Sequence, residues 1–361
     1  MVTVRDAGAL RFYDDAPAAS LNRALAESIS FWQQQRPARW IRVCDRSYRA
    51  GRLLDSLLEF QKLLHSSAPA ELSAAIGRKF TIYQAQNSSG GSGILVTGYF
   101  QPVFAGSLSR RPPYIYPIYG LPPDLIHARR HGASGKSKTL IGRLVDGRLQ
   151  PYWRRSEIED KNLLAGRELL YLRDPVDAFF LQVQGSGLVV LPDGSRRQVL
   201  YAGSNGWPYR SIGRLLVAEG RLSLSEVSMP KIRQYLLSHL DERRHILHYN
   251  NRYIFFRLAP DTGEEPIGAM GHELTPGRSV ALDVNCFPLG GLGYLTTEIP
   301  RIAGGRIVGW RSMRRFVLAQ DSGAAIKGSG RLDVFWGHGP NAGKIAGKMR
   351  QPGKLYILIK K

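Results

Sequence analysis

Ala319-Gln320-Asp321-Ser322-Gly323, then Gly328-Ser329-Gly330-Arg331-Leu332-Asp333-Val334-Phe335-Trp336, sets the strand pattern of the C-terminal part. Leu332, Val334 and Trp336 alternate with Asp333 and Phe335, which is the period of a strand with one face on a core. Asp333 then lies on the second face, beside Phe335. A carboxylate in an apolar strand is costly to desolvate. Burial raises its pKa, so it can hold a proton and donate it. A purely structural reading competes: Asp321 braces a glycine turn, and Asp333 pairs with an arginine. Acids are scarce, with 29 Asp+Glu against 50 Lys+Arg, so each embedded carboxylate needs a reason.

Outward from this stretch the pattern stays β-rich. Strands are expected over 94–100, 253–258, 280–284, 316–320 and 355–359. The N-terminal part reads differently. Leu21, Leu25, Ile29 and Trp32 recur at helical spacing, and Leu53, Leu54, Leu57, Leu58 and Leu63 form one broad apolar face. Residues 87–93 read as a loop, and the Pro- and Tyr-rich residues 112–123 as irregular chain crossing between domains. A hairpin is expected from about 178 to 202, turning at Asp193-Gly194, with helices over 211–219 and 230–240. The helical start and the β-rich end thus bracket a middle section with its own hairpin and helices.

Composition narrows the classes. At 361 residues the chain has room for two domains, and 43% apolar against 22% charged residues describes a globular protein. The 39 glycines and 21 prolines favour a turn-rich β fold. No apolar run is long enough for a transmembrane helix, and Met1 to Ser20 carry no signal-peptide pattern. The net charge of +21 calls for a polyanionic partner. No nucleic-acid motif accompanies it, and the basic residues are spread along the chain, so nucleic acid is not the expected partner. An acidic polysaccharide, a cell-wall polymer or anionic lipid fits the charge equally well. His127 and His131 have a spacing that suits a metal, but Arg129-Arg130 between them favour a solvated basic loop. Neither a metal nor any other cofactor is expected. Cys44 and Cys286 lack CxxC spacing. They are two buried thiols or, in an oxidising compartment, one disulfide.

Three further segments mix glycine with amides, hydroxyls and aromatic rings: Thr97-Gly98-Tyr99-Phe100-Gln101-Pro102, Gln182-Val183-Gln184-Gly185-Ser186-Gly187, and Tyr201 through Gly213. Glycine admits close approach of backbone to a ligand. Amides and hydroxyls read sugar hydroxyls, and aromatic rings cover the apolar face of a pyranose. Each segment alone reads equally as a tight turn with capping contacts. Gly185-Ser186-Gly187 is not a nucleophile elbow, and no phosphate loop occurs.

Together and in this order, the segments VTGYFQPVF, YLRDPVDAFFLQVQGSG, YAGSNGWPYRSIGRLL, VALD followed by PLG, and AQDSGAAIKGSGRLDVFWGHGPNAGKIAG resemble the MltA family, the membrane-bound lytic murein transglycosylases A. The resemblance runs from about Ile94 to the C-terminus. It implies a mainly β fold with N-terminal helices: a double-psi β-barrel domain from 1–100 and 246–361, a smaller β-rich domain inserted at 101–245, and a groove for a glycan strand between them. It also implies cleavage of the β-1,4 bond between N-acetylmuramic acid and N-acetylglucosamine, leaving 1,6-anhydromuramoyl ends. The family's acid falls on Asp333 and a second acidic position on Asp321. Thr97, Tyr99, Gln184, Gly185, Ser186, Asn205, Tyr209 and Ser211 are the implied substrate contacts.

Peptidoglycan glycan strands are the implied partner, at the periplasmic face of the outer membrane, where cell-wall synthesis or division proteins would be met. The lipoprotein signal of many members is missing. Two other readings stay open: a double-psi polysaccharide hydrolase using both aspartates on water, and a non-catalytic glycan-binding protein. Desolvation beside Phe335 and repulsion from Asp321 would raise Asp333, while pairing with Lys327 or Arg331 would lower it.

Overall fold

The computed structural model of the chain describes all residues except 5, 7–9, 88–89, 132–136, 225–226, 261–264, 305 and 324–325, and no side chains at 69 and 129–138. The chain divides into two compact units, Met1–Phe100 with Gly263–Lys361, and Gln101–Thr262.

In the first unit the C-terminal alternation becomes a closed barrel. The strand Arg350–Lys360 lies beside Leu292–Ala303, which pairs in turn with Arg306–Asp321. The short strand Ser279–Ala281 follows, then Arg331–His338, then Ile94–Gln101, which pairs back to Arg350–Lys360 and closes the ring. Ser279–Ala281 runs parallel to Arg306–Asp321 and antiparallel to Arg331–His338. The mixture fits the double-psi β-barrel, and closure leaves no edge among these strands.

The apolar face is as expected. Leu332 and Val334 are fully buried, in one core with Phe316, Leu318, Leu355 and Ile357. The helices Ala18–Gln33 and Ala50–Ser66 press their stripes onto it through Leu21, Leu25, Ile29 and Trp32, and through Leu53, Leu57 and Phe60. Each such side chain contributes about 1.5–3 kcal/mol by leaving water. Residues 87–93 lie partly outside the described residues.

The second unit is built on a six-stranded sheet in the order Ile254–Pro260, Arg196–Ser204, Gly187–Val190, Val103–Ser107, Glu168–Leu172, Tyr116–Tyr119. Ile254–Pro260 pairs with Arg196–Ser204 along its length, so residues up to Thr262 group with this unit, past the expected boundary at 246. Tyr116–Tyr119 is a strand inside the stretch expected to be irregular, held by Glu168–Leu172. His127 lies on the strand Ile126–His131, paired with Ser137–Val145, and not in a loop.

The first half of the expected hairpin is also corrected. Residues 175–184 form a helix, because its ends outweigh the alternation of Phe179, Leu181 and Val183. Asp174 caps it by accepting from the Val176 N–H at 2.7 Å, and Pro175 occupies the first turn. Gly185 ends it at φ 80°, a conformation that other residues adopt at a cost. The hairpin proper runs between Gly187–Val190 and Arg196–Ser204. Downstream, the expected helix at 230–240 is Met229–Ser238, and a further helix, Leu240–His248, follows it.

Candidate active site

Asp321 and Asp333 end up as neighbours through the sheet. Both are register partners of Ala281, one on each flanking strand. Two strand spacings put their Cα atoms on the order of 10 Å apart. The strand Ile94–Gln101 supplies the groups that touch them. Thr97 and Tyr99 share a face by the two-residue period. The Thr97 hydroxyl donates to Asp333 Oδ1, and the Tyr99 hydroxyl donates to Asp321 Oδ2 at 2.7 Å. Between them Gly98 turns to the other face, where an added Cβ would stand 2.8 Å from Trp336 Nε1 and 2.9 Å from Ala346 Cα. Glycine is what lets this strand lie so close. Trp336 packs against the core and donates to Met349 Sδ at 3.2 Å, which makes it a structural ring.

The two carboxyls differ in company. Asp321 Oδ1 accepts the backbone N–H groups of Ala269 at 2.9 Å and Ser322 at 2.8 Å, so with Tyr99 it takes three donors. Asp333 Oδ1 takes Thr97 and lies 3.5 Å from Arg331 Nε, and Arg331 Nη2 also donates to the Thr97 hydroxyl at 3.5 Å. Among the described residues no donor reaches Asp333 Oδ2. The Asp333 side chain is 17% exposed, so solvent still reaches part of it.

Burial pushes both carboxyls above the ordinary aspartate pKa. At Asp333 the Thr97 hydroxyl and the Arg331 charge oppose it, and at Asp321 the three donors do. The rise at Asp333 comes from burial, and Lys327 acts on Asp283. The Tyr99 hydroxyl is raised by burial and then by the Asp321 charge, so it stays protonated as a donor. Its ring packs on Phe335 at 5.3 Å, the apolar neighbour expected beside Asp333.

In the second unit the expected contact residues divide. Tyr209 is 51% exposed. Gln184 ends its helix with Nε2 3.7 Å from Met229 Sδ, followed by Gly185 and a half-buried Ser186. Ser211 caps the helix Ile212–Ala218 by accepting from the Arg214 N–H at 3.3 Å. Asn205 is 1% exposed and its hydrogen-bonding capacity is used internally. Its amide donates to the Trp153 and Asn251 carbonyls, both at 2.9 Å, and its oxygen accepts from the Tyr253 N–H at 2.9 Å and the Trp207 N–H at 3.4 Å. It ties three loops together and has nothing left for a ligand.

Two groups escaped the sequence reading. The Ala269 N–H carries no side-chain signal. Arg155 is buried, donating to Gln182 Oε1 at 2.6 Å and to the Asn250 and Arg252 carbonyls. Among the described residues no cluster of His, Cys, Asp or Glu could hold a metal.

Comparison with known proteins places these residues. The model of the MltA specific insert domain matches residues 95–257, which include Thr97, Tyr99 and the second-unit residues, and a 3D domain matches 278–359, which include both aspartates. Membrane-bound lytic murein transglycosylase A of Escherichia coli K12 is 31% identical over 288 residues, 78% of this chain and 70% of that protein. The chain belongs to the MltA family. Its MltA relative in Vibrio cholerae is 30% identical over 303 residues, 82% of this chain and 73% of that one.

Solved MltA structures agree. A membrane-bound lytic murein transglycosylase from Agrobacterium tumefaciens superposes with a TM-score of 0.77 at 29% identity, covering 99% of this chain and 95% of that one. Escherichia coli MltA with bound chitohexaose gives 0.73 at 27%, covering 97% and 93%.

Proposed function

We propose that the protein is a peptidoglycan lytic transglycosylase in which Asp333 serves first as acid and then as base. The observation that carries the role is its Oδ2: a carboxyl raised by burial, with Oδ1 held by Thr97 and, among the described residues, no donor on Oδ2. That oxygen can carry the proton to the glycosidic oxygen between N-acetylmuramic acid and N-acetylglucosamine. The C1–O bond then breaks, and the sugar's own O6 attacks C1 from within the same ring. The Asp333 carboxylate takes the O6 proton and is ready for another cycle. Because the nucleophile is already attached, no water need be positioned and the entropic barrier is lowered.

Asp321 does not fit the second role of a hydrolase, since its oxygens already hold two backbone N–H groups and a tyrosine hydroxyl. It fixes Tyr99 and polarises the site. Chitohexaose bound to the Escherichia coli relative supports a β-1,4-linked amino-sugar chain as ligand. Gln184, Gly185, Ser186, Tyr209 and Ser211 are the glycan contacts in this reading, and Asn205 is their scaffold. The charge of +21 suits a wall whose peptide stems bear carboxylates. The periplasmic face of the outer membrane is the place of action, in reach of cell-wall synthesis and division proteins. Among the described residues no helix is long and apolar enough to cross a membrane.

Digesting purified murein sacculi with wild type and Asp333→Asn, with product ends read by mass spectrometry, tests this. Anhydromuramoyl ends from wild type alone support it. Reducing ends point to a hydrolase, and intact glycan with retained binding to a non-catalytic protein.

A further inference from the structure

Cys44 and Cys286 are far apart in sequence but meet in the first unit. Cys44 sits in the turn between the strands Trp40–Val43 and Arg46–Arg49, and Cys286 follows the strand Ser279–Ala281. The Cys44 N–H donates to the Cys286 carbonyl at 2.5 Å. Residues joined in this way have Cα atoms on the order of 5–6 Å apart, within the span that a disulfide bridges. The side chains are neighbours as well, since each thiol shifts the other's pKa. Both are free, half-buried and packed against the barrel core.

Cys44 holds φ 56°, a conformation that favours glycine or asparagine in a hairpin turn. A cysteine kept at such a position, against a second cysteine, points to a use for its sulfur. The contact also lies on the path to the active site. Asp283, in the same loop as Cys286, accepts the Gly328 N–H at 2.7 Å, and Gly328 belongs to the connection between Asp321 and Asp333.

We infer that Cys44 and Cys286 form a dithiol site that a disulfide-bearing oxidant, such as an oxidised dithiol protein or oxidised glutathione, converts to an intramolecular disulfide. Burial raises both thiols, Cys44 to about 12, while the neighbouring Cys44 works against that rise at Cys286. Cys286 is therefore the first attacker. Its thiolate attacks one sulfur of the oxidant, forming a mixed disulfide and expelling a thiolate. Cys44 passes its proton to that thiolate and attacks Cys286 Sγ, releasing the second thiolate, which takes up the proton lost by Cys286. The pair loses two electrons and two protons, and the oxidant leaves as two thiols. That the protein meets such an oxidant rests on the cell-wall reading, because the wall is built outside the reducing cytosol.

The test uses the full chain, fully reduced and then incubated with oxidised glutathione, quenched by alkylation and weighed intact. The expected result is a monomer that takes no alkyl group, a linked peptide containing both cysteines, and a Tm higher than the reduced form by roughly 4–8 °C. Cys44→Ser and Cys286→Ser should show neither the link nor the rise. Two alkylatable thiols after oxidation, or links only between molecules, overturn the inference without any variant. Sacculus digestion on the same sample separates the two claims: a linked but inactive protein contradicts the enzyme and leaves the disulfide standing.

Discussion

The end of the strand Arg306–Asp321 and the middle of the strand Arg331–His338 each hold a carboxyl, both register partners of Ala281, yet they are furnished for different work. At the strand end the Ser322 N–H is released from the ladder and turns onto Asp321, joined there by the Ala269 N–H from a separate loop and by Tyr99. In mid-strand, backbone groups are spent on pairing, so among the described residues Asp333 meets the side chains of Thr97 and Arg331. Both are raised by burial, but among the described residues Asp333 keeps an oxygen without a donor while both oxygens of Asp321 are taken. Raised pKa alone does not mark the acid. The proposed acid is the one that combines a raised pKa with an oxygen that no donor among the described residues reaches.

The largest effect should come from Asp333→Asn, which removes the proton carrier and should lower turnover on murein glycan by roughly 10²–10⁴-fold while glycan binding persists. Asp321→Asn keeps an acceptor for the N–H groups but loses the charge, and a loss of roughly 10–100-fold in turnover is expected. Equal losses at the two positions would erase the distinction, and a larger loss at Asp321 would reverse it.

Two further variants sharpen it through stability and pH. Gly98→Ala forces Trp336 or the helix Gly339–Ala346 away, so denaturant unfolding should show about 1–3 kcal/mol of destabilisation. Thr97→Val removes a donor that holds Asp333 down, so its pKa should climb further. The acid must be protonated to act, so activity is lost as pH rises through that pKa. The alkaline limb of the rate profile should therefore move upward, with only a few-fold change in the maximum rate.

The same carboxyl has a stability signature. Its folded pKa lies above the unfolded value, so its contribution is fully present below about 3.9 and lost as pH rises through the folded pKa. Asp333→Asn should then melt higher than wild type at neutral pH, with the gap closing on acidification. A variant less stable at neutral pH would show that the charged form is well accommodated.

Much of this site was legible because strand period is a local signal: Leu332 and Val334 had to face the core, which left Asp333 and Phe335 opposite. The helical stripes were legible for the same reason, except that Leu58 is exposed and Phe60 is buried in its stead. The helix Pro175–Gln184 was misread because a short apolar run suits either period, and the decision lay in Asp174, Pro175 and Gly185 at its ends. Asn205 shows why a contact residue is hard to read: an amide that reads a sugar and one that pins three loops look alike in sequence. The Ala269 N–H was invisible, since any residue but proline supplies one. Arg278 and Asp14 likewise pair at 2.5 Å across most of the chain's length, a contact that only the closed barrel creates.

The central claim is that one carboxyl works twice and water never attacks. Digesting sacculi with the wild-type protein in water enriched in heavy oxygen tests it directly, by mass spectrometry of the new muramoyl ends. The account predicts anhydro ends with no heavy oxygen incorporated. Reducing ends that carry the label would contradict it and would give Asp321 or another base the task of activating water.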